Sequence, residues 1–100
     1  MSELKGSQRK HLRGLAHDLK PVVLIGKNGV AEMVLKSIDQ ALNDHELIKV
    51  KFIDFKDEKK TLAAKIAENC GSELAGLIGN VAIFYRQQKD PKKRKIQLPG

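Results

Sequence analysis

The segment Val22-Val23-Leu24-Ile25-Gly26-Lys27-Asn28-Gly29-Val30 decides the fold. Its first four residues are a continuous apolar run rich in β-branched side chains, which suits a short strand covered on both faces or nearly so. Pro21 stands before it and forces Lys20 out of helical geometry, so any helix upstream must end there. The two glycines break the strand. From Val30 the period changes: Val30, Met33, Val34, Ile38, Ala41 and Leu42 recur at helical spacing and predict a helix to about Asn43. Strand, glycine turn and helix in that order open a βαβ unit.

Upstream, Ser7 is placed to cap a helix running to about Leu19, with Leu12, Leu15, Ala16 and Leu19 on one face and Arg9, Lys10 and Arg13 off it. Downstream, Leu47–Ile53 alternates around Lys49 and Lys51, the pattern of a strand with one wet face. Asp57 can start a third helix that carries Leu62, Ala63, Ile66, Ala67 and Cys70 and stops at Gly71. Two strands follow, near Glu73–Ile78 and Val81–Arg86, joined by the hairpin dipeptide Gly79-Asn80. The expected fold is a two-layer α/β domain of order α-β-α-β-α-β-β, with a mixed four-stranded sheet, over residues 1–86. Residues 87–100 are expected to form a basic, mobile tail.

The chain has 100 residues, enough for one domain with one core. No apolar run reaches the roughly 20 residues of a membrane helix, so no membrane association is expected. Residues 1–6 lack the apolar core of a secretory signal. Cys70 is the only cysteine, so no disulfide can form within the chain and a cytoplasmic setting is expected. Net charge is +7, unevenly spread. Residues 1–29 hold six Lys/Arg against two acids, residues 30–85 seven against nine, and residues 86–100 six against one. Positive charge at both ends around a mildly acidic middle fits a polyanion-binding surface, although two solvated ends would read the same way.

Gly26-Lys27-Asn28-Gly29 is the candidate site. Glycines let backbone approach a phosphate closely, amides at a helix start lack partners, and Lys27 adds a mobile cation. A tight turn with Asn28 or Gly29 as helix N-cap would explain the same residues. Arg9, Lys10, Arg13 and Lys20 would add charge if the first helix packs beside the loop. Neither G-x-x-x-x-G-K-[ST] nor G-x-G-x-x-G occurs, which argues against P-loop nucleotidases and dinucleotide folds.

Several separate blocks carry a family pattern. They are Arg9-x-x-Leu12-Arg13-x-x-Ala16, Lys20-Pro21, Ile25–Val30, His45–Val50, Ile78-Gly79 and Tyr85-Arg86. Together they resemble the CRM domain (chloroplast RNA splicing and ribosome maturation), in its stand-alone bacterial, YhbY-type form. The resemblance implies a fold related to the C-terminal domain of translation initiation factor three. It also implies RNA binding and association with precursor large ribosomal subunits. The family's G-x-x-G contact maps onto Gly26, Lys27, Asn28 and Gly29, and its basic first helix onto Arg9, Lys10 and Arg13. Arg86 reads equally as an RNA contact or a solvated side chain.

Catalysis and metal binding are not expected. His11, His17 and His45 lack metal-ligand spacing. Cys70 reads as a small buried thiol without a histidine partner. An acid or base for phosphoryl chemistry is no nearer the loop in sequence than Asp18 or Glu32. Of Phe52, Phe55, Phe84 and Tyr85, only Tyr85 is a candidate for an exposed stacking surface, so backbone recognition is expected over base stacking. The expectation is therefore a monomeric RNA-binding protein without cofactor or DNA specificity. The alternative is a module that grips an acidic protein on the ribosome.

Overall fold

A computed structural model describes residues 4–99, so Met1–Glu3 of the expected domain and Gly100 of the tail lie outside the described residues. The elements are α1 (Gly6–Ala16), β1 (Val23–Ile25), α2 (Glu32–His45), β2 (Leu47–Phe52), α3 (Lys59–Cys70), β3 (Glu73–Ile78) and β4 (Val81–Tyr85). The α/β class, the element order and the mixed four-stranded sheet are as expected.

Boundaries moved where caps decided them. Helix α1 starts at Gly6 rather than after Ser7, because the Gln8 side chain reaches back to accept the Lys5 N–H at 2.9 Å. Helix α3 is preceded by a short 3-10 turn, Lys56–Glu58, and ends as expected at Gly71, whose φ of +61° closes the helix.

The sheet order is β1-β2-β4-β3. β1 pairs parallel with β2, while β4 runs antiparallel to both neighbours. The crossover through α3 thus carries β3 past β4 rather than beside β2. Burial explains the order. Ala82, Ile83, Phe84 and Tyr85 are all buried, so β4 needs cover on both faces and both edges. β3 is half-buried along most of its length and bulged between Leu74 and Gly76, which suits an edge. β1 is the other edge. It is covered on one face only, since Val22 and Leu24 are each about half exposed, which corrects the expectation of a doubly covered strand.

Two apolar clusters flank the sheet. Ile48, Val50 and Phe52 of β2 join Ile25, Phe84 and the inner sides of α2 and α3 on one face. Leu47, Ile83 and Tyr85 join Leu12 and Ala16 of α1 on the other, with Ile96 and Leu98 packed against them. The expected two layers are the sheet with α2 and α3, and α1 with the C-terminal segment adds a partial third. The tail, expected to be mobile, is laid down on this second cluster. Its backbone is held by the buried Glu46 carboxylate, a partner about 40 to 50 residues away that local composition cannot reveal.

Arg86 is also corrected from its candidate role as an RNA contact. Its guanidinium donates to Asp39 Oδ1 (2.6 Å), the Asp39 carbonyl (2.9 Å), Asn43 Oδ1 (2.8 Å) and the Cys70 carbonyl (2.8 Å). It bolts the end of β4 to α2 and to the C-terminus of α3. Arg86→Ala should lower stability by about 2–3 kcal/mol, because a charged donor set is removed and its acceptors are left behind. Arg86→Lys should recover only part, since an ammonium cannot reproduce the planar fork. The chemical denaturation midpoint, at unchanged m-value, is the measurement.

Candidate nucleic-acid interface

β1 ends at Ile25, whose carbonyl accepts the N–H of Ile53 (2.9 Å) and of Asp54 (3.1 Å). These bonds fasten the root of the glycine turn to the chain leaving β2. The Gly29 N–H then donates to the Gly26 carbonyl at 2.9 Å, closing a four-residue turn. Lys27 and Asn28 take its central positions with negative φ, as in a type I turn, and both are exposed. The glycines differ in kind. Gly29 is buried at φ +65°, and a Cβ there would lie 3.3 Å from Cε2 of Phe55. Gly26 has no such φ, and a Cβ would meet nothing within 4 Å. Gly29 is therefore required by the turn, whereas Gly26 leaves the outer surface bare.

Among the described residues Lys27 has no ion-pair partner, and no backbone hydrogen bond uses the N–H of Lys27 or Asn28. The turn does not itself open α2, as the sequence led us to expect. Val30 and an extended Ala31 intervene, and the helix starts at Glu32 without a side-chain cap. A carboxylate in that first turn opposes anion binding at the helix end, which leaves the turn's own amides and Lys27 as the candidate anion-binding groups.

The surrounding charge comes partly from unexpected residues. Because Ile48, Val50 and Phe52 face α2 and α3, Lys49 and Lys51 face the other way. Lys51 is exposed, in register with Leu24 of β1 and Val81 of β4. Lys49 donates to the His17 carbonyl at 3.3 Å. Arg13 lies flat across Gly76 and donates to the Ala75 carbonyl at 3.3 Å. Arg13, His17 and Lys49 line one depression with Ile78 and Val81. Its lip at Ile78 and Val81 is the hairpin end of the sheet, where the Phe52 N–H meets the Asn80 carbonyl at 2.7 Å and where β1 releases the glycine turn. Arg13 and Lys49 thus stand at mid-sheet, beside Gly76 and Ile83, on the face that carries Lys51 to the end where the turn leaves β1. Arg9 is half-buried one helical turn before Arg13, and Lys10 is exposed on the outer flank. Lys20 does not converge on the turn. It sits at the start of β1, beside Leu19, Leu47 and Lys95.

The aromatic expectation is reversed. Tyr85 is 1% exposed, whereas Phe55, itself at φ +56°, is 39% exposed against Gly29. The only sequence signal for Lys49 and Lys51 was the two-residue alternation of β2, and nothing local marked Phe55. Cys70 is buried, and desolvation first, then Asp39, pushes its thiol pKa up, with Arg86 opposing. That shift disfavours the nucleophilic thiolate.

The chain is similar to several known proteins. The sequence model of the CRS1/YhbY (CRM) domain matches residues 4–86. A Haemophilus influenzae protein named an RNA-binding protein is 42% identical over 100 residues, covering 99% of this chain and 98% of that one. A Pseudomonas aeruginosa protein named a probable RNA-binding protein is 38% identical over 91 residues, covering 90% and 88%. The solution structure of a Staphylococcus aureus hypothetical protein, described as a candidate RNA-binding protein, superposes with a TM-score of 0.80 at 42% identity, covering 96% and 99%.

The unequal glycines make a stability test. Gly29→Ala should cost about 1–2 kcal/mol for its left-handed backbone. Gly26→Ala should stay within about 0.5 kcal/mol of the parent. Thermal or urea unfolding of the two variants side by side is the check.

Proposed function

This chain belongs to the CRS1/YhbY (CRM) domain family, and from that premise we propose that it binds structured RNA by its backbone. We further propose that it does so on precursor large ribosomal subunits, as an assembly factor in the cytoplasm. One observation carries the reading: the exposed Lys27-Asn28 turn, without an ion-pair partner among the described residues, leaves β1 at the end of the sheet where Lys51 stands exposed, and the same sheet face carries Lys49 and Arg13 at mid-strand. Two free amides and a mobile ammonium can hold a phosphate without reading a base. Lys51 and Arg13 extend the positive field along the sheet face, where the next phosphates of a duplex or loop would lie. Phe55 beside Gly29 offers an apolar ring for one unpaired nucleoside. The names of the relatives support RNA as the ligand, and the geometry supports recognition by backbone and shape.

Lys27→Glu and Lys51→Glu are exposed replacements that should leave the fold intact. Each should weaken binding to a ribosomal RNA fragment. Each should also flatten the log–log salt dependence by about 0.7–0.9 for every phosphate no longer neutralised. Gly29→Asp is a poorer probe, because it strains the turn as well as repelling phosphate. Filter binding across a salt series, alongside circular dichroism, measures both effects. Cosedimentation with precursor large subunits should fall in parallel. Folded variants with parental affinity and slope would remove the turn from the interface.

A further inference from the structure

The C-terminal segment lies beyond the family match, which ends at residue 86, yet it is held in place. Glu46 is 1% exposed and sits at φ +61°, a conformation that L residues other than Asn and Asp rarely adopt. Its Oε2 accepts the Gln88 N–H at 2.9 Å, and its Oε1 accepts the N–H groups of Lys95 (2.5 Å) and Ile96 (3.3 Å). Asp90 Oδ1 accepts the Lys92 N–H at 3.0 Å, and Arg94 Nε donates to the Gln88 carbonyl at 2.8 Å. Ile96 and Leu98 seal the segment onto the second apolar cluster.

The clamp uses backbone and leaves side-chain charge outside. Lys89, Lys92, Lys93 and Lys95 are exposed, and none has an ion-pair partner among the described residues. Of the nearby acids, Asp39 is paired with Arg86, Asp90 accepts the backbone N–H of its own turn, and Asp44 accepts the Gln40 amide at 3.1 Å. Lys95 Nζ lies 3.4 Å from the Asp44 carbonyl rather than its carboxylate. A fixed backbone that displays uncompensated ammonium groups is a surface for a polyanion, since the positions are set before the ligand arrives.

This surface is not a continuation of the glycine-turn site. It is anchored at Glu46, beside the Leu47–Tyr85 pair, whereas the turn lies beyond the opposite end of β2. A six-residue strand separates the two by about 17 Å, and α1 lies across the face between them. We propose that residues 89–95 form a second phosphate-binding surface, so that one chain holds two RNA segments at once, one at each end of the sheet. This rests on the RNA-binding reading above and extends it from gripping RNA to bringing two parts of it together.

The test uses the full chain and two short RNA hairpins, each too short to reach both ends and each carrying a different dye. At low salt, native mass spectrometry should find one chain with two hairpins, and energy transfer should report both hairpins in one complex. Replacing Lys89, Lys92 and Lys93 together by Gln should leave the first hairpin's affinity within about twofold and weaken the second by about tenfold or more. Lys27→Glu should do the converse. A parent chain that binds one hairpin through Lys27 and never a second would overturn the proposal and leave the turn assignment standing. So would two-hairpin complexes indifferent to the triple replacement, or an acidic peptide that occupies the tail in preference to RNA. Absence of any hairpin binding would overturn both readings.

Discussion

Everything in this molecule is hung on the alternation of β2. Three of its side chains, Ile48, Val50 and Phe52, are buried beneath α2 and α3, each worth about 1.5–3 kcal/mol against leaving it in water. A strand has only two faces, so that commitment sends Leu47, Lys49 and Lys51 to the other side. Leu47 is covered by α1 and the C-terminal segment, Lys49 is half-buried against the His17 carbonyl, and Lys51 is exposed. A slip of one residue would bury both lysines under two helices and expose three apolar side chains, a loss no local rearrangement could offset. Register in the core thereby fixes where the positive charge stands outside it.

The same strand relates the two ends of the sheet. At its C-terminal end it receives β1 in parallel, and the carbonyl of Ile25 is tied to the chain that turns away at Ile53 and Asp54. That tie brings the Phe55 ring over Gly29 and leaves the turn only one backbone path. At its N-terminal end Glu46 joins α2 to β2 at a positive φ of 61°, and its carboxylate gathers the returning chain. Arg86 reinforces this end from β4, so that helix, sheet and tail meet there. One end is built to present a bare turn, the other to fix a charged segment.

How much of this was legible in the sequence follows from the range of the interactions. Helix and strand order was readable because hydrophobic period is local: Val30 to Leu42 and Leu47 to Ile53 declare themselves within a dozen residues. Strand neighbours were not, because nothing in α3 says that β4 will slip between β2 and β3. That outcome reflects the burial of residues 82–85, which only the finished sheet decides. Arg86 was ambiguous because its acceptors on α2 lie 43 and 47 positions away. The tail read as mobile because its composition is polar, whereas its anchor is a single carboxylate 42 to 50 positions upstream. For the site, the glycine turn and the basic first helix were visible as patterns. Lys49 and Lys51 were visible only as a wet face, and Phe55 not at all, since the ring's position depends on a backbone conformation that Phe seldom takes.

The geometry also separates what the glycine tetrad does for folding from what it offers a ligand. Gly29 satisfies the chain: its positive φ and the ring against it would demand glycine in a protein that bound nothing. Gly26 satisfies no such need, because open space surrounds its absent side chain. Folding leaves this position free, beside two amides without a backbone partner and a lysine without an ion pair among the described residues. On the proposed reading, close approach by a negatively charged backbone would use that space, with the outer half of the turn serving recognition and the inner half architecture.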